Sequence, residues 1–226
     1  IWDVTDPANP EFQSVLNLGD YYGFDYQGDK PNDDKAVHGH FFYAGYTTGQ
    51  AANGHNDAQN MAVVDLSDPR NPIVVGDWHD SGLQGSLTGL SLNKSGTRAY
   101  VSAQRVIPVD GGHRHTENVL YLLDVRDPTA PVEIGRYVFP WQNSVAYAVP
   151  NEDDSLVIFA DGSGPCGQKA AIRVLDASDP SSIHELSVFE LGGSDRCYLW
   201  GTEKVGEARD MVVKGNLVYS TWMGGG

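Results

Sequence analysis

Four histidines are the side chains of this sequence best suited to bind a transition metal. His113 and His115 are separated by one residue in a glycine-rich run, His55 also follows a glycine, and His79 precedes an aspartate. Neutral imidazoles with a carboxylate nearby are suitable ligands for Zn²⁺ or Cu²⁺. Polar loop tips in solvent account for the same residues without a metal. The sequence therefore leaves open a metal site and an ordinary polar surface.

An acidic and aromatic segment at residues 19–35 is the second group of interest. It contains Tyr21 and Tyr22 and, among other aspartates, Asp25 and Asp34. Carboxylates and loop carbonyls are suitable ligands for Ca²⁺, and aromatic rings beside carboxylates also suit a sugar or a basic peptide. The spacing matches no EF-hand loop. A solvated acidic loop with its aromatic side chains packed beneath it is the alternative.

A repeated motif must position these residues. Residues 61–78 read MAVVDLSDPRNPIVVGDW, and related copies span 1–18, 120–137 and 172–189. Each copy is an apolar run that ends in Asp, then Asp-Pro, usually a second Pro three residues later, and a second apolar run. β-Branched residues favour strands. Asp-Pro favours a turn, because Asp can bond its own backbone and Pro fixes φ at about −65°. The motif therefore predicts a β-hairpin with a proline-stiffened turn.

The repeated motif resembles the LVIVD repeat family of bacterial surface and secreted proteins, which are taken to be β-propellers. The last copy departs from the pattern at Ile183, where the others have a second Pro. The resemblance implies a propeller architecture along the chain and says little about activity, because propellers carry many unrelated functions. The matching positions are the strand-ending Asp3, Asp65, Asp124 and Asp176, and the turn residues Pro7, Pro69, Pro128 and Pro180.

The segments between the copies predict the remaining strands of each blade. A propeller blade has four antiparallel strands, a to d, counted outward from a central channel. The repeated motif supplies strands c and d, and pairs such as 85–92 with 97–103 supply a and b. We therefore predict an all-β chain, a single β-propeller domain or propeller fragment over residues 1–226, with about four blades. The predicted parts are strands c and d at 1–18, blades at about 34–79, 85–138 and 143–191, and strands a and b at 208–222. The two half-blades could close a four-bladed ring, but we favour a fragment of a ring of about six to eight blades.

Strand direction assigns the connections to two faces of the propeller. Successive strands alternate in direction, so the d–a and b–c connections lie on one face and the a–b and c–d turns on the other. The long connections, near 19–33, 47–60, 105–118, 162–169 and 192–207, all belong to the first face. We call it the long-loop face and the opposite one the turn face. Function on rigid scaffolds concentrates on such loops. The four histidines are expected on the long-loop face, as are the channel-entrance residues Asp34, Thr88, Asn143, Arg209 and Asp210.

The strongly acidic composition limits the classes of partner. The formal net charge is −15 and the sequence pI is about 4.6. Nucleic acid requires a basic face, and anionic membrane surfaces attract basic segments, so neither is an expected partner. No apolar run approaches the roughly 20 residues of a membrane helix. A protein or glycan partner is expected, although the acidity also fits a role in solubility alone.

Two cysteines bear on the cellular location. Cys166 and Cys197 both lie in glycine-rich or polar segments assigned to the long-loop face. Two free loop thiols would be unusual in a secreted protein, so a disulfide is the favoured interpretation, with two unrelated reduced cysteines as the alternative. The chain is therefore expected at an extracellular, periplasmic or cell-surface location.

Two classes of function remain. The favoured one is a non-enzymatic extracellular or cell-surface scaffold that binds a protein, a glycan or an ion through the long-loop face. The alternative is a metal-dependent oxidoreductase or hydrolase with its ligands at the channel mouth or among the four histidines. The sequence requires no cofactor, and Ca²⁺ or a transition metal is the candidate ion.

Overall fold

The structure, a computed structural model, confirms the all-β prediction. It describes residues 1–18, 35–47, 59–80, 84–109, 113–139, 145–161, 171–190 and 207–223. The strands in these ranges are β1 (Trp2–Asp3), β2 (Glu11–Phe12), β3 (Lys35–His38), β4 (Phe41–Thr47), β5 (Gln59–Asp65), β6 (Ile73–His79), β7 (Gln84–Leu92), β8 (Arg98–Val109), β9 (His113–Asp124), β10 (Val132–Phe139), β11 (Val145–Pro150), β12 (Leu156–Asp161), β13 (Ala171–Asp176), β14 (His184–Glu190), β15 (Glu207–Lys214) and β16 (Leu217–Met223).

The strands form antiparallel sheets in chain order, as propeller blades do. Strands β3–β6 make blade 1, β7–β10 blade 2 and β11–β14 blade 3, each with four strands in sequence order. Strands β1–β2, the first hairpin, and β15–β16, the last hairpin, are two separate two-stranded sheets. The described strands therefore show the blade pattern, and no ladder among them joins the two hairpins into one blade.

The first strand of each blade is the innermost. Strand β3 contacts β7, β7 contacts β11, and β11 contacts β15, so strands a of neighbouring blades lie side by side. Apolar side chains fill the layers between the sheets, which we call the first, second and third seams. Met61, Val63 and Trp78 belong to the first seam, between blades 1 and 2. Phe139 and Phe159 belong to the second, between blades 2 and 3, and Met211 to the third, between blade 3 and the last hairpin.

The turn between strands c and d has the same hydrogen bonds in every copy. In blade 1, Asp65 Oδ1 accepts the Ser67 amide at 2.7 Å and Asp68 Oδ1 accepts the Arg70 amide at 3.0 Å. The Asn71 amide then donates to the Asp68 carbonyl at 3.0 Å. Both aspartates therefore make side-chain-to-backbone turns, the local bonding for which Asp is favoured at such positions. Asp3 and Asp6, Asp124 and Asp127, and Asp176 and Asp179 repeat the two side-chain bonds.

The four turns between strands a and b also share one backbone feature. Each of these turns contains one residue with a left-handed backbone: Gly39, Gly96, Asp154 and Gly215, with φ of 60°, 67°, 62° and 57°. Glycine is the ordinary choice at positive φ because it has no Cβ. Asp154 is the exception, and its Oδ2 accepts a 2.6 Å hydrogen bond from Asn93 Nδ2 on the neighbouring blade.

Neighbouring blades meet at one recurring backbone contact. Gly76 in strand d of blade 1 lies so close to the Pro128 carbonyl of the next turn that a methyl group there would overlap it. Gly135 in blade 2 meets the Pro180 carbonyl in the same way. In the first hairpin, the equivalent Ser14 donates its hydroxyl to the Pro69 carbonyl at 2.6 Å. In these three copies the fourth residue after the second proline is therefore small, because the next turn packs on it.

Most of one segment that was predicted to be a loop belongs to two paired strands. Residues 105–118 were expected to be a long b–c connection carrying His113 and His115, but strand β8 extends to Val109 and β9 begins at His113. In this register His113 pairs with Val109, and His115 with Ile107. The loop prediction was wrong because the polar residues of this segment and Pro108 are typical of loops, while the backbone ladder of blade 2 continues through them.

Candidate functional site

Eight of the fourteen predicted site residues lie outside the described residues. Nothing about their positions is therefore tested, and the acidic loop, the disulfide and part of the histidine group stay predictions. These residues are Tyr21, Tyr22, Asp25, Asp34, His55, Asn143, Cys166 and Cys197.

The predicted channel-entrance residues Thr88 and Arg209 lie at β-bulges of innermost strands. The register of β7 against β8 shifts between Leu87 and Gly89, so Thr88 is the extra residue. The register of β15 against β16 shifts between Ala208 and Asp210, where Arg209 lies. Thr88 is inside β7 rather than at its beginning, and its Oγ1 is buried without a hydrogen-bond partner. Bulges redirect side chains, and this regular feature of strand a was not visible in the sequence.

The predicted metal-binding histidines that the structure describes, His79, His113 and His115, lie on strands rather than on loops. His79 is the last residue of β6, pairs with Asn60 and is exposed. His113 and His115 belong to β9, where they pair with Val109 and Ile107 of β8. Among the residues that the structure describes, no three His, Cys, Asp or Glu side chains form a metal-binding group. The metal site stays a prediction.

A polar cluster follows strand d of blade 1 at the long-loop end of the first seam. Tyr121 donates its hydroxyl to Asp80 Oδ2 at 2.8 Å, and Arg136 Nη1 lies 3.4 Å from the same oxygen. The Arg136 guanidinium lies over the Tyr121 ring, 5.1 Å from its centroid, and the Trp78 ring lies 4.9 Å away on the other blade. Burial raises the pKa of Tyr121, and the bond to Asp80 and its charge raise it further. The cluster therefore fastens blade 2 to the end of blade 1.

Sequence reasoning missed this cluster. His79 was singled out as a metal ligand, whereas the residue that reaches the neighbouring blade is Asp80. Arg136 also binds Glu133 through Nε at 2.6 Å and Nη2 at 2.8 Å, so its guanidinium is held in position. The sequence did contain a signal for this cluster. Asp80 comes directly after strand d of blade 1, and the next repeat has Tyr121 in strand c and Arg136 in strand d.

The motif aspartates of the turn face are held in their ionised form. Hydrogen bonds from Arg126, first from its side chain and then from its amide, lower the pKa of Asp124 to about 2. Hydrogen bonds from the side chain and amide of Thr5 lower the pKa of Asp3 in the same direction. These carboxylates are occupied by turn bonding, so the recurring aspartates have a structural role that is visible in every copy.

A cavity of about 470 Å³ opens at the turn end of the second seam. Its walls include Arg98, Arg126, Asp124, Asp154 and Asp179. Arg126 pairs with Asp124 through two nitrogens, and the charge of Arg98 also lowers the pKa of Asp124. Asp124 is therefore already engaged by both arginines, and we assign the cavity a structural role between two turns.

Comparison with known proteins gives a family for the repeat. The LVIVD repeat model matches residues 56–80 and 115–138, which cover strands c and d of blades 1 and 2. No curated protein matches the chain. Both matched stretches contain the aspartate pair and the prolines that build the turn described above. The chain therefore matches the LVIVD repeat in two stretches, and its four-stranded sheets have the arrangement of β-propeller blades.

Proposed function

We propose that this chain is a non-enzymatic extracellular scaffold that binds a protein partner through its long-loop face. The observation that carries the proposal is the placement of the connections. The c–d turns of blades 1 to 3 each occupy seven residues and lie on the turn face, where their aspartates bond to the turn backbone. The b–c connection of blade 1 joins Thr47 to Gln59, and those two residues pair at the opposite end of the sheet.

The rigid part of the molecule supports this use of the long connections. Each seam is filled with fully buried side chains, such as Tyr121 in the first and Phe159 in the second. Loops anchored on rigid sheets can be held in one arrangement, and binding sites concentrate on such loops. Repeat arrays also present extended surfaces that suit macromolecules.

The chemistry of the long connections favours a basic partner. Residues 19–34 contain five aspartates and one lysine among four aromatic residues, and the chain has a net charge of −15. Acidic and aromatic groups together attract lysine and arginine side chains by charge and by cation–π contact. No helix among the described residues is long and apolar enough to cross a membrane.

An extracellular location rests on the two cysteines. Cys166 and Cys197 fall in connections assigned to the same face, and an oxidising compartment would allow them to pair. Peptide mass mapping without reductant tests this part of the proposal. We expect one cross-linked peptide pair that contains both cysteines. Two alkylated, unlinked cysteines in protein from its natural source would contradict the location.

The binding proposal is tested by changing one face at a time. Partners on intact cells of the source are captured by chemical cross-linking and then purified, and their affinities are measured by calorimetry. Replacement of residues 20–33 by a short Gly-Ser linker should abolish binding or weaken it at least tenfold. The matched control is Arg126→Ser on the turn face, where blade 1 has Ser67 at the equivalent position, and it should bind normally. Binding that survives the loop replacement but is lost in the turn-face variant would overturn the proposal.

A further inference from the structure

Three charged residues at the turn end of the second seam differ from their counterparts in the other copies of the repeat. The other copies build the same turns without these charges, so the turns themselves do not require them. Departures from a local rule are expected at functional or strained positions of a protein. The three residues are Arg98, where blades 1 and 3 have Phe41 and Leu156, Arg126, where the other copies have Thr5, Ser67 and Ser178, and Asp154, where the other a–b turns have Gly39, Gly96 and Gly215.

All three residues line the cavity of about 470 Å³ between blades 2 and 3. Arg98 reaches it from strand b of blade 2, Arg126 from the c–d turn of blade 2, and Asp154 from the a–b turn of blade 3. The volume of the cavity is within the range of small-molecule pockets, about 300 to 1,000 Å³. Beyond the structural role of its Arg126–Asp124 pair, the cavity thus collects charges that the repeat does not need in a space of ligand size.

Asp154 presents one carboxylate oxygen that the fold does not use. Its Oδ2 accepts the 2.6 Å bond from Asn93, which is 3% exposed, whereas its Oδ1 is buried and has no hydrogen-bond partner among the described residues. Asn93 is itself fixed, because its Oδ1 accepts the amides of Thr97 and Arg98 at 2.8 Å and 3.0 Å. A buried acceptor without a donor costs free energy. The carboxylate of Asp154 is therefore held in position for a donor from a ligand.

Arg98 supplies the opposite charge at the same cavity. Both oxygens of Asp124 bond to Arg126, and Arg98 acts on that carboxylate through its charge. The planar guanidinium of an arginine is suited to bind a carboxylate through two parallel hydrogen bonds. The cavity therefore offers a cationic group from blade 2 and an anionic group from blade 3.

A buried tyrosine hydroxyl lies behind these two residues. Tyr100 is 0% exposed, and its hydroxyl has no hydrogen-bond partner among the described residues. Burial and then the charge of Asp154 raise the pKa of Tyr100 to about 12, whereas Arg98 acts in the opposite direction. The hydroxyl is therefore directed towards both walls of the cavity and stays protonated at neutral pH.

We propose that this cavity binds a free amino acid, whose ammonium group bonds to Asp154 and whose carboxylate bonds to Arg98. Apart from the Arg126–Asp124 pair, the charged walls are Arg98, Asp154 and Asp179, so negative charge is in excess. A basic amino acid is therefore favoured over an acidic one. The two guanidinium groups disfavour a bare metal cation. The cavity is on the turn face, so the proposal is independent of the partner proposed for the long-loop face.

The experiment is isothermal titration calorimetry of the 226-residue chain with free lysine as the probe. We expect saturable binding of one lysine per chain. Cadaverine, which is lysine without its carboxylate, and hexanoate, which lacks both ammonium groups, should each bind about tenfold more weakly or worse, because each loses a charge-assisted pair. The absence of saturable binding of lysine overturns the proposal, and so does equal affinity for cadaverine or hexanoate.

Two single changes locate the binding site. Asp154→Asn removes the charge but keeps an acceptor for Asn93, and Arg98→Leu introduces the residue that blade 3 has at this position. Each should weaken lysine binding about tenfold or more. The matched control is Arg70→Thr, which removes an arginine from the turn face of blade 1, where blade 2 has Thr129, and it should bind lysine like the parent.

Far-UV circular dichroism and urea midpoints show whether the three variants are folded. Asp154→Asn is the decisive variant, because it changes the charge in the cavity and keeps the bond across the seam. Unchanged lysine binding in both cavity variants overturns the proposal, and so does an equal loss of binding in the control.

Discussion

The first and second seams join neighbouring blades by the same backbone contact and by different side chains. In both, a glycine of strand d receives a proline carbonyl from the next turn. Beside that contact, the first seam places the His38 ring against Gly96, whereas the second bonds Asn93 to Asp154. Near its outer edge the first seam has the polar cluster around Asp80, and the second stacks Phe139 on Phe159 at 4.3 Å. The backbone contact therefore defines how blades meet, and the side chains around it are free to differ.

The largest expected effect tests the shared contact. Gly76→Ala and Gly135→Ala place a methyl group where a proline carbonyl lies, so a turn must move and the free energy of unfolding should fall by about 2 kcal/mol or more. Urea denaturation measures both variants. Ser14→Ala is the control, since it adds no bulk and removes one hydrogen bond, with a loss of about 1 kcal/mol. If one glycine variant were as stable as the parent, the two seams would not share this contact.

The next largest expected effect concerns the Asp80–Tyr121 hydrogen bond, which belongs to the first seam. Asp80→Ala leaves the buried Tyr121 hydroxyl without its acceptor and should lower the free energy of unfolding by about 2 kcal/mol. Tyr121→Phe removes the donor, so the double variant should lose less than the sum of the single changes. A double-mutant cycle measures this coupling. Full additivity of the two changes would show that the bond contributes nothing to the seam.

The third effect is specific to the second seam and is smaller. Asp154→Ala keeps a side chain at positive φ and removes the bond from Asn93, so we expect a loss of about 1 kcal/mol. Asp154→Asn retains an acceptor oxygen and tolerance of this backbone, and should be nearly neutral. Asp154→Gly removes the bond but also removes the strain of a side chain at positive φ. Its loss of stability should therefore lie between those of the alanine and asparagine variants. If alanine and asparagine were equivalent in urea melts, the bond across the seam would have no role.

The smallest expected effect is a pH dependence of stability, which arises from the aspartates of the turns rather than from the seams. Hydrogen bonds lower the pKa of Asp124 to about 2 from a usual value of 3.8. A carboxylate with a lowered pKa stabilises the fold above its unfolded pKa, and this stabilisation is lost as the pH falls through the folded value. Stability should thus be constant above about pH 5 and decline from about pH 4 to pH 2. Asp124→Asn should show a shallower decline, and an unchanged acid profile would contradict the turn assignment.

The repeat made the fold predictable from the sequence. The predicted strand pair 85–92 with 97–103 agrees with β7 and β8 to within a few residues, except where β8 runs on to Val109. Apolar alternation and the Asp-Pro turns are local signals, and they act within one hairpin. The continuation of blade 2 past Gln104 was missed because pairing with a partner strand, rather than local propensity, keeps Pro108 and His115 in a ladder.

The candidate site was less predictable, because its described contacts join residues far apart in the chain. Asp80 bonds to a side chain 41 residues away, and Asn93 to one 61 residues away. Those partners depend on the angle between blades, which no short motif encodes. Gly76 and Gly135 are ordinary strand glycines until the next turn is known to lie on them. Sequence reasoning therefore identified the aspartates of the turns and not the residues that connect the blades.

The glycine contact also has a consequence for curvature. It lies on strand d, the outermost strand, and it lets the outer edges of neighbouring blades approach without a side chain between them. When the outer edges lie close together, the angle between neighbouring blades is small. A small angle means that more blades are needed to complete a circle. A larger residue at the same position of each repeat would increase the angle between neighbouring blades, so that fewer blades would complete a circle. The smallest side chain in the repeat thus helps to set the angle between neighbouring blades.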